Sequence, residues 1–171
     1  MVRMREYLSD AVVLDRLPNG DLNGRVVFLT KRFGKMVARA RSIRKITSKL
    51  SGHLQQGNLV QVRMIEKNGL QVVDALKKTK VGLSLPELRF LGEILSEAEP
   101  EFVIWEMLAG GKFSWLDVLR ILGWDPSFSS CTFCYGNSEA FHPRTQEFFC
   151  KNCALKLPAN EVLYINNQTS G

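Results

Sequence analysis

Leu59-Val60-Gln61-Val62-Arg63-Met64-Ile65, then Asn68-Gly69, then Leu70-Gln71-Val72-Val73-Asp74-Ala75 is the stretch that decides the fold. Val60, Val62 and Met64 alternate with Gln61 and Arg63, so one face of an extended strand is apolar and the other polar. Asn-Gly readily takes positive φ at both central positions of a two-residue hairpin, so Leu70–Ala75 is expected to return as the next strand. Toward the N-terminus, Lys35, Val37, Arg39 and Arg41 alternate with Met36, Ala38 and Ala40. That spacing predicts Lys35, Arg39 and Arg41 in a row along one exposed strand face. Arg25–Thr30 is β-branched and aromatic and stops at the breaker Gly34; Asp10–Asp15 is a short apolar run before the turn cluster Pro18-Asn19-Gly20-Asp21. Five short strands with turns between them point to a small closed barrel, and the oligonucleotide-binding (OB) barrel is the commonest five-stranded solution.

After Lys80 the periodicity becomes helical. Ser84-Leu85-Pro86-Glu87 has the form of a capped helix start, followed by Leu88, Leu91, Ile94 and Leu95 at helical spacing. Glu101–Leu108 predicts a second helix stopped by Gly110-Gly111, and Ser114 a cap for a third that ends near Gly123. The expected class is α+β, with a basic barrel over residues 1–80 and a helical domain over 81–171.

Charge divides the chain at the same place. Residues 1–80 hold 17 Lys/Arg against 6 Asp/Glu, residues 81–171 hold 6 against 11, and the whole carries +6. No acid occurs between Asp21 and Glu66, a window containing Arg25, Lys31, Arg32, Lys35, Arg39, Arg41, Arg44, Lys45, Lys49 and Arg63. A field this one-sided points to a polyanionic partner, the plainer alternative being a solvated basic face. Glu87, Glu93, Glu97, Glu99, Glu101 and Glu106 make the second part a poor surface for nucleic acid and a better one for protein. Arg3, Arg5, Glu6 and Asp10 interrupt any secretory signal at the start, and no apolar run has spanning length. A soluble, intracellular protein is expected.

Cys131-x-x-Cys134 and Cys150-x-x-Cys153 are all four cysteines of the chain. Two such pairs separated by a turn-rich linker have the spacing of a four-thiolate zinc ribbon over residues 131–153, with zinc supplying folding energy that so short a segment cannot gain by burial. Four thiolates close the coordination sphere, so the metal is structural. Disulfides and CxxC redox chemistry are the rival readings, and His142 is an alternative ligand. Elsewhere no phosphate-binding GxxxxGK[ST] occurs. His53 and His142 are far apart, and Asp15 and Asp21 flank a turn. A binding protein without a catalytic centre is expected.

Residues 20–35, followed by the basic segment Arg39–Lys49 and by Leu50-Ser51-Gly52-His53-Leu54-Gln55-Gln56, resemble the N-terminal domain of the RecO family of DNA repair proteins. Phe113–Leu122, Gly123-Trp124-Asp125-Pro126, the two cysteine pairs and Phe141-His142-Pro143 resemble that family's later segment in the same order. The middle departs from it, because only Ser84–Leu122 stands where relatives carry a longer helical stretch. The resemblance implies a bacterial, cytoplasmic, nucleoid-associated protein that binds single- and double-stranded DNA and anneals complementary strands. It also implies that, with RecR, the protein helps load RecA onto DNA coated by single-strand-binding protein (SSB), whose C-terminal tail docks on the helical segment; no nucleotide is consumed. Phosphate contacts are then expected from Arg25, Lys31, Arg32, Lys35, Arg39, Arg41, Arg44, Lys45 and Lys49. Phe33 is a candidate stacking platform, and Phe28 fits the core better. A zinc-ribbon protein that binds structured RNA, such as a ribosome-associated factor, is the alternative; a metal-dependent nuclease is a third reading.

Overall fold

A computed structural model describes residues 4–165. They fall into two compact units, Met1–Gly111 and Lys112–Gly171.

The first unit is built on five strands: β1 (Arg5–Pro18), β2 (Gly24–Thr30), β3 (Gly34–Ala40), β4 (Asn58–Glu66) and β5 (Leu70–Lys80). They close in the order β1-β2-β3-β5-β4, with a single parallel pairing, Arg39 with Gln71, joining β3 to β5. The β4–β5 hairpin turns at Asn68 and Gly69 with φ of +54° and +102°, the double positive the Asn-Gly pair predicts. Strand β1 is far longer than its apolar run. Its first half pairs with β4 and its second with β2, and a bulge between Val13 and Asp15 lets one strand serve both. The run Ala11–Leu14 does not alternate because both of its faces are covered. Ala11 and Val13 join Val26, Phe28, Val60 and Met64 in the barrel core, whereas Leu14 meets helix α2 (Leu85–Ile94) near Gly92.

A short helix between β3 and β4, α1 (Lys49–His53), was not foreseen; Leu54 at its end is fully buried and closes the core. Helix α2 starts at a capping box in which Ser84 and Glu87 exchange hydrogen bonds, and it buries Leu88, Phe90, Leu91 and Ile94. The segment after it lies along β3: Ala98 donates its N–H to Lys35 at 2.9 Å. A side chain on Gly34 (φ +73°) would stand 2.1 Å from the Glu99 carbonyl. Helix α3 (Phe102–Ala109) completes the unit. The compact unit thus ends after Gly111 and not at Lys80, because α2 and its following segment pack on the barrel.

In the second unit, α4 (Trp115–Ile121) is capped by Ser114, whose hydroxyl accepts from the Asp117 N–H, and Gly123 follows at φ +91°. The linker between the cysteine pairs is more ordered than its polar composition suggests. Strands β6 (Ala140–His142), β7 (Glu147–Phe149) and β8 (Leu163–Tyr164) form a sheet in the order β7-β6-β8, with helix α5 (Lys151–Ala154) after β7. Phe141 lies 5.3 Å from Trp124 and 5.0 Å from Phe148, ring centre to ring centre. Among the described residues no helix is long and apolar enough to cross a membrane.

Candidate nucleic-acid interface and metal centre

Antiparallel register sets Arg25 of β2 directly opposite Arg39 of β3, both exposed. Two like charges facing each other across strands oppose folding unless something offsets them. The Arg39 guanidinium donates to the Asn68 carbonyl at 2.7 Å and lies over Gly69. Arg25 and Arg39, with Asn19 of the β1–β2 loop and Gly69 of the β4–β5 turn, line a cleft of about 400 Å³. Arg44 ties the same β1–β2 loop down, donating to the Gly20 carbonyl at 3.2 Å. Arg41 and Lys45 are exposed in the turn that leaves β3, and Lys49 is exposed at the first position of α1, not in a loop.

The rest of the expected patch is elsewhere. Arg25 and Lys31 lie at opposite ends of β2, about 20 Å apart at strand rise. The predicted row Lys35–Arg39–Arg41 does not form. Lys35 is half-buried where α2 covers β3, and its Nζ donates to the Gly92 carbonyl at 2.9 Å. Arg41 lies beyond the end of β3. Lys31 sits 5.8 Å from the centre of the Phe102 ring. Arg32 stacks on Phe33 at 5.3 Å and donates to the Leu8 carbonyl at 3.4 Å. Phe33 packs edge-on against Tyr7, ring centres 5.1 Å apart. Phe28 is fully buried, as its apolar strand suggests. The β2–β3 turn therefore lies beside the acidic segment of Glu97, Glu99 and Glu101, a repulsive neighbourhood for phosphate. Arg63, counted in the acid-free window, pairs with Glu6. His53 accepts the Lys77 backbone N–H at its Nδ1.

The four cysteines do converge: their Sγ atoms all lie within 4.8 Å of one another. Cys131 and Cys134 flank a turn closed by two hydrogen bonds of 2.8 Å, Tyr135 N–H to the Cys131 carbonyl and Cys131 N–H to the Gly136 carbonyl. Cys150 precedes α5 and accepts the Cys153 N–H on its sulfur at 3.4 Å. The Cys134 and Cys150 sulfurs are 3.6 Å apart, too far for the roughly 2.05 Å of a disulfide and close to the edge of about 3.8 Å that a tetrahedron of Zn–S bonds near 2.3 Å requires. All four thiols are free. Burial acts to raise the Cys131 thiol, yet backbone N–H groups of Cys150, Cys134 and Phe133 outweigh it and bring it down to about 6. The Cys150 thiol, then burial, push Cys153 up to about 12. Four thiols so placed cannot all ionise together, and a dication at their centre removes that conflict. His142 takes no part in this set. Its Nδ1 accepts the Thr145 N–H at 3.2 Å and its Nε2 lies 3.4 Å from Glu161.

A family model described as Recombination protein O N terminal matches residues 4–80. A protein named DNA repair protein RecO from Thermodesulfovibrio yellowstonii is 27% identical, over 86% of this chain and 70% of its own length. Proteins of the same name from Dehalococcoides mccartyi and a Nocardioides species are each 23% identical, over 90% and 87% of this chain and 72% and 75% of their own lengths. Residues 4–80 thus match the recombination protein O N-terminal family model, and along most of its length the chain is similar to proteins named DNA repair protein RecO.

Proposed function

We propose that the chain is a DNA-binding recombination mediator of the RecO kind, acting in the bacterial cytoplasm and without a catalytic centre. Its barrel is of the OB type, and single-stranded DNA crosses β2 and β3 between the β1–β2 loop and the β4–β5 turn. The observation that carries this reading is the Arg25–Arg39 pair in the cleft between those loops. OB barrels take oligonucleotides at that position, and like charges held face to face want a phosphate chain. Arg41, Arg44 and Lys45 extend the positive field around it. Annealing follows physically, because bringing two strands together requires that their backbone charge be screened, and cations do this without nucleotide turnover. RecR, the SSB tail and RecA loading complete the proposed role.

Cys131, Cys134, Cys150 and Cys153 would hold a structural zinc ion. Bound there, it cross-links the two turns and leaves no coordination position open to substrate.

Purified protein should anneal complementary oligonucleotides coated with SSB in the absence of ATP, and Arg25→Ala/Arg39→Ala should lose that activity while keeping its melting temperature. Preference for folded RNA over single-stranded DNA would favour the RNA-binding alternative instead. Cleavage of DNA on adding Mg²⁺ would overturn the non-catalytic reading.

A further inference from the structure

The cleft between Arg25 and Arg39 does not end there. Arg25 also lines a second cleft of about 320 Å³, shared with Arg44 and Arg16. Arg16 in turn lines a third, of about 570 Å³, with Gln55, Gln56, Lys77 and Lys80. The three are linked through shared arginines in one sequence around the barrel.

Strand pairing explains the opening at Arg16. Strand β1 pairs with β4 only as far as Val12, so Asp15–Pro18 has no strand on that side. The Gln56 side chain bridges the gap, donating to the Leu14 carbonyl at 3.2 Å and to Asp15 Oδ1 at 3.0 Å. On the far wall, β5 bulges where Val60 pairs with Lys77 and Leu59 with Thr79; the shifted alternation brings both Lys77 and Lys80 to the cleft. Lys78, between them, is paired with Asp10 at 2.6 Å.

Arg16 is half-buried, and burial lowers its guanidinium from the ordinary value. The neighbouring Asp15 carboxylate takes the Arg16 backbone N–H at 2.8 Å and the Gln56 amide. Among the described residues no ion pair engages Arg16, Lys77 or Lys80. A partly desolvated guanidinium that no ion pair engages, sharing a cleft with the ammonium groups of Lys77 and Lys80, fits an anion from outside the chain.

We propose that Arg16, Lys77 and Lys80 form a second phosphate-binding subsite, so that one nucleic-acid strand leaving the Arg25–Arg39 cleft continues past Arg16 onto β5. This rests on the reading of that cleft as the single-strand site. It predicts a footprint longer than β2 and β3 alone provide, within the roughly 4–16 nucleotides that single OB folds occupy.

The test compares wild type, Lys77→Ala/Lys80→Ala, Lys77→Glu/Lys80→Glu and Arg25→Ala/Arg39→Ala on oligothymidylates of about 4 and about 16 nucleotides, at several salt concentrations. Both lysines are exposed, and melting temperatures check that the variants are folded. The alanine pair should bind the long oligomer about tenfold more weakly, and its salt slope should fall by roughly 1.4, or 0.7 per lost contact. The glutamate pair should lose more, and both should bind the short oligomer as wild type does. Long-oligomer affinity and slope unchanged in both lysine pairs, with Arg25→Ala/Arg39→Ala impaired, would overturn the second subsite and leave the first standing. Binding untouched in Arg25→Ala/Arg39→Ala would instead overturn the reading of the first cleft. Equal loss of both oligomers in the lysine pairs would overturn the proposed order along one strand.

Discussion

The barrel unit and the cysteine unit solve the same problem with different means. In the barrel, thirteen buried residues form one core, from Ala11 to Ala75, and every one is an ordinary apolar side chain. Among the described residues of the second unit, the cluster around the cysteines has six buried members, and Cys131 and Cys153 are two of them. There the sulfurs occupy positions that aliphatic groups hold in the barrel. The units differ in charge as well. Lys112–Gly171 balances Lys112, Arg120, Arg144, Lys151 and Lys156 against Asp117, Asp125, Glu139, Glu147 and Glu161. The excess of +6 therefore belongs to the barrel unit, acidic helices included. One unit can hold itself together and spend its cations on a partner; the other is electrically neutral and leans on its thiols.

The largest effect should come from the metal. Zinc binding in small ribbon-like sites is worth about 10–16 kcal/mol at neutral pH, more than a cluster of six residues can replace. Protein purified without added metal should carry near-stoichiometric zinc by elemental analysis; less than about a tenth of that, with intact thiols, would sink the structural-zinc reading. Cys134→Ser or Cys150→Ser should make Lys112–Gly171 susceptible to protease while the barrel keeps its far-ultraviolet signature and its DNA binding. Acidification should release the ion, since the ligands must be deprotonated to hold it.

The converse lesion comes next. Phe28 is fully buried at the centre of the barrel core, and truncating such a ring costs about 3–5 kcal/mol. Phe28→Ala should lower the barrel's melting transition and abolish DNA binding, with zinc content unchanged. Loss of zinc together with the barrel would show that the two units fold as one, and the comparison would fail.

Much of this was legible in local sequence, and what was not has a common cause. Asn68-Gly69, the Ser84–Glu87 box, the Ser114 cap and the cysteine spacing are each determined within a few residues, and each appears where the sequence predicts. The misses depend on partners distant in the chain. Strand β1 runs to Pro18 because β2 and β4 offer it two edges, which its own composition does not reveal. Strands β6 and β8 are three and two residues long, too short for a periodic signal, and exist because Ala140 and Phe141 pair with residues on both sides. The acid-free window found Arg25 and Arg39 but not that they face each other. It also passed over Arg16, Lys77 and Lys80, which are dispersed in sequence and meet only across the barrel.

Smaller effects separate the cations of the interface. Arg39→Ala/Arg41→Ala/Arg44→Ala should leave the melting temperature nearly unchanged, because exposed charges contribute little to folding. Its single-strand salt slope should fall by about 2, roughly 0.7 per phosphate contact, and annealing should suffer more than simple binding. An unaltered slope with full annealing would place the DNA elsewhere.

The smallest expected effect tests the comparison inside a single strand. Lys35 and Arg39 are four residues apart on β3, yet they have different employers. The carbonyl of Gly92 lies in the last turn of α2, where the helix has no N–H left to offer, and the Lys35 ammonium takes that place at 2.9 Å. Its charge therefore stabilises the negative end of the helix, a contribution of about 1 kcal/mol. Lys35→Met should lower the melting temperature of the barrel unit by a few degrees and leave the salt slope of DNA binding as it was. Arg39→Met should do the reverse, lowering the slope by roughly 0.7 with little loss of stability. If Lys35→Met instead lowered the slope at unchanged stability, α2 would have to leave β3 for DNA to reach that lysine, and the end of the barrel beside the acidic segment would be part of the binding face after all.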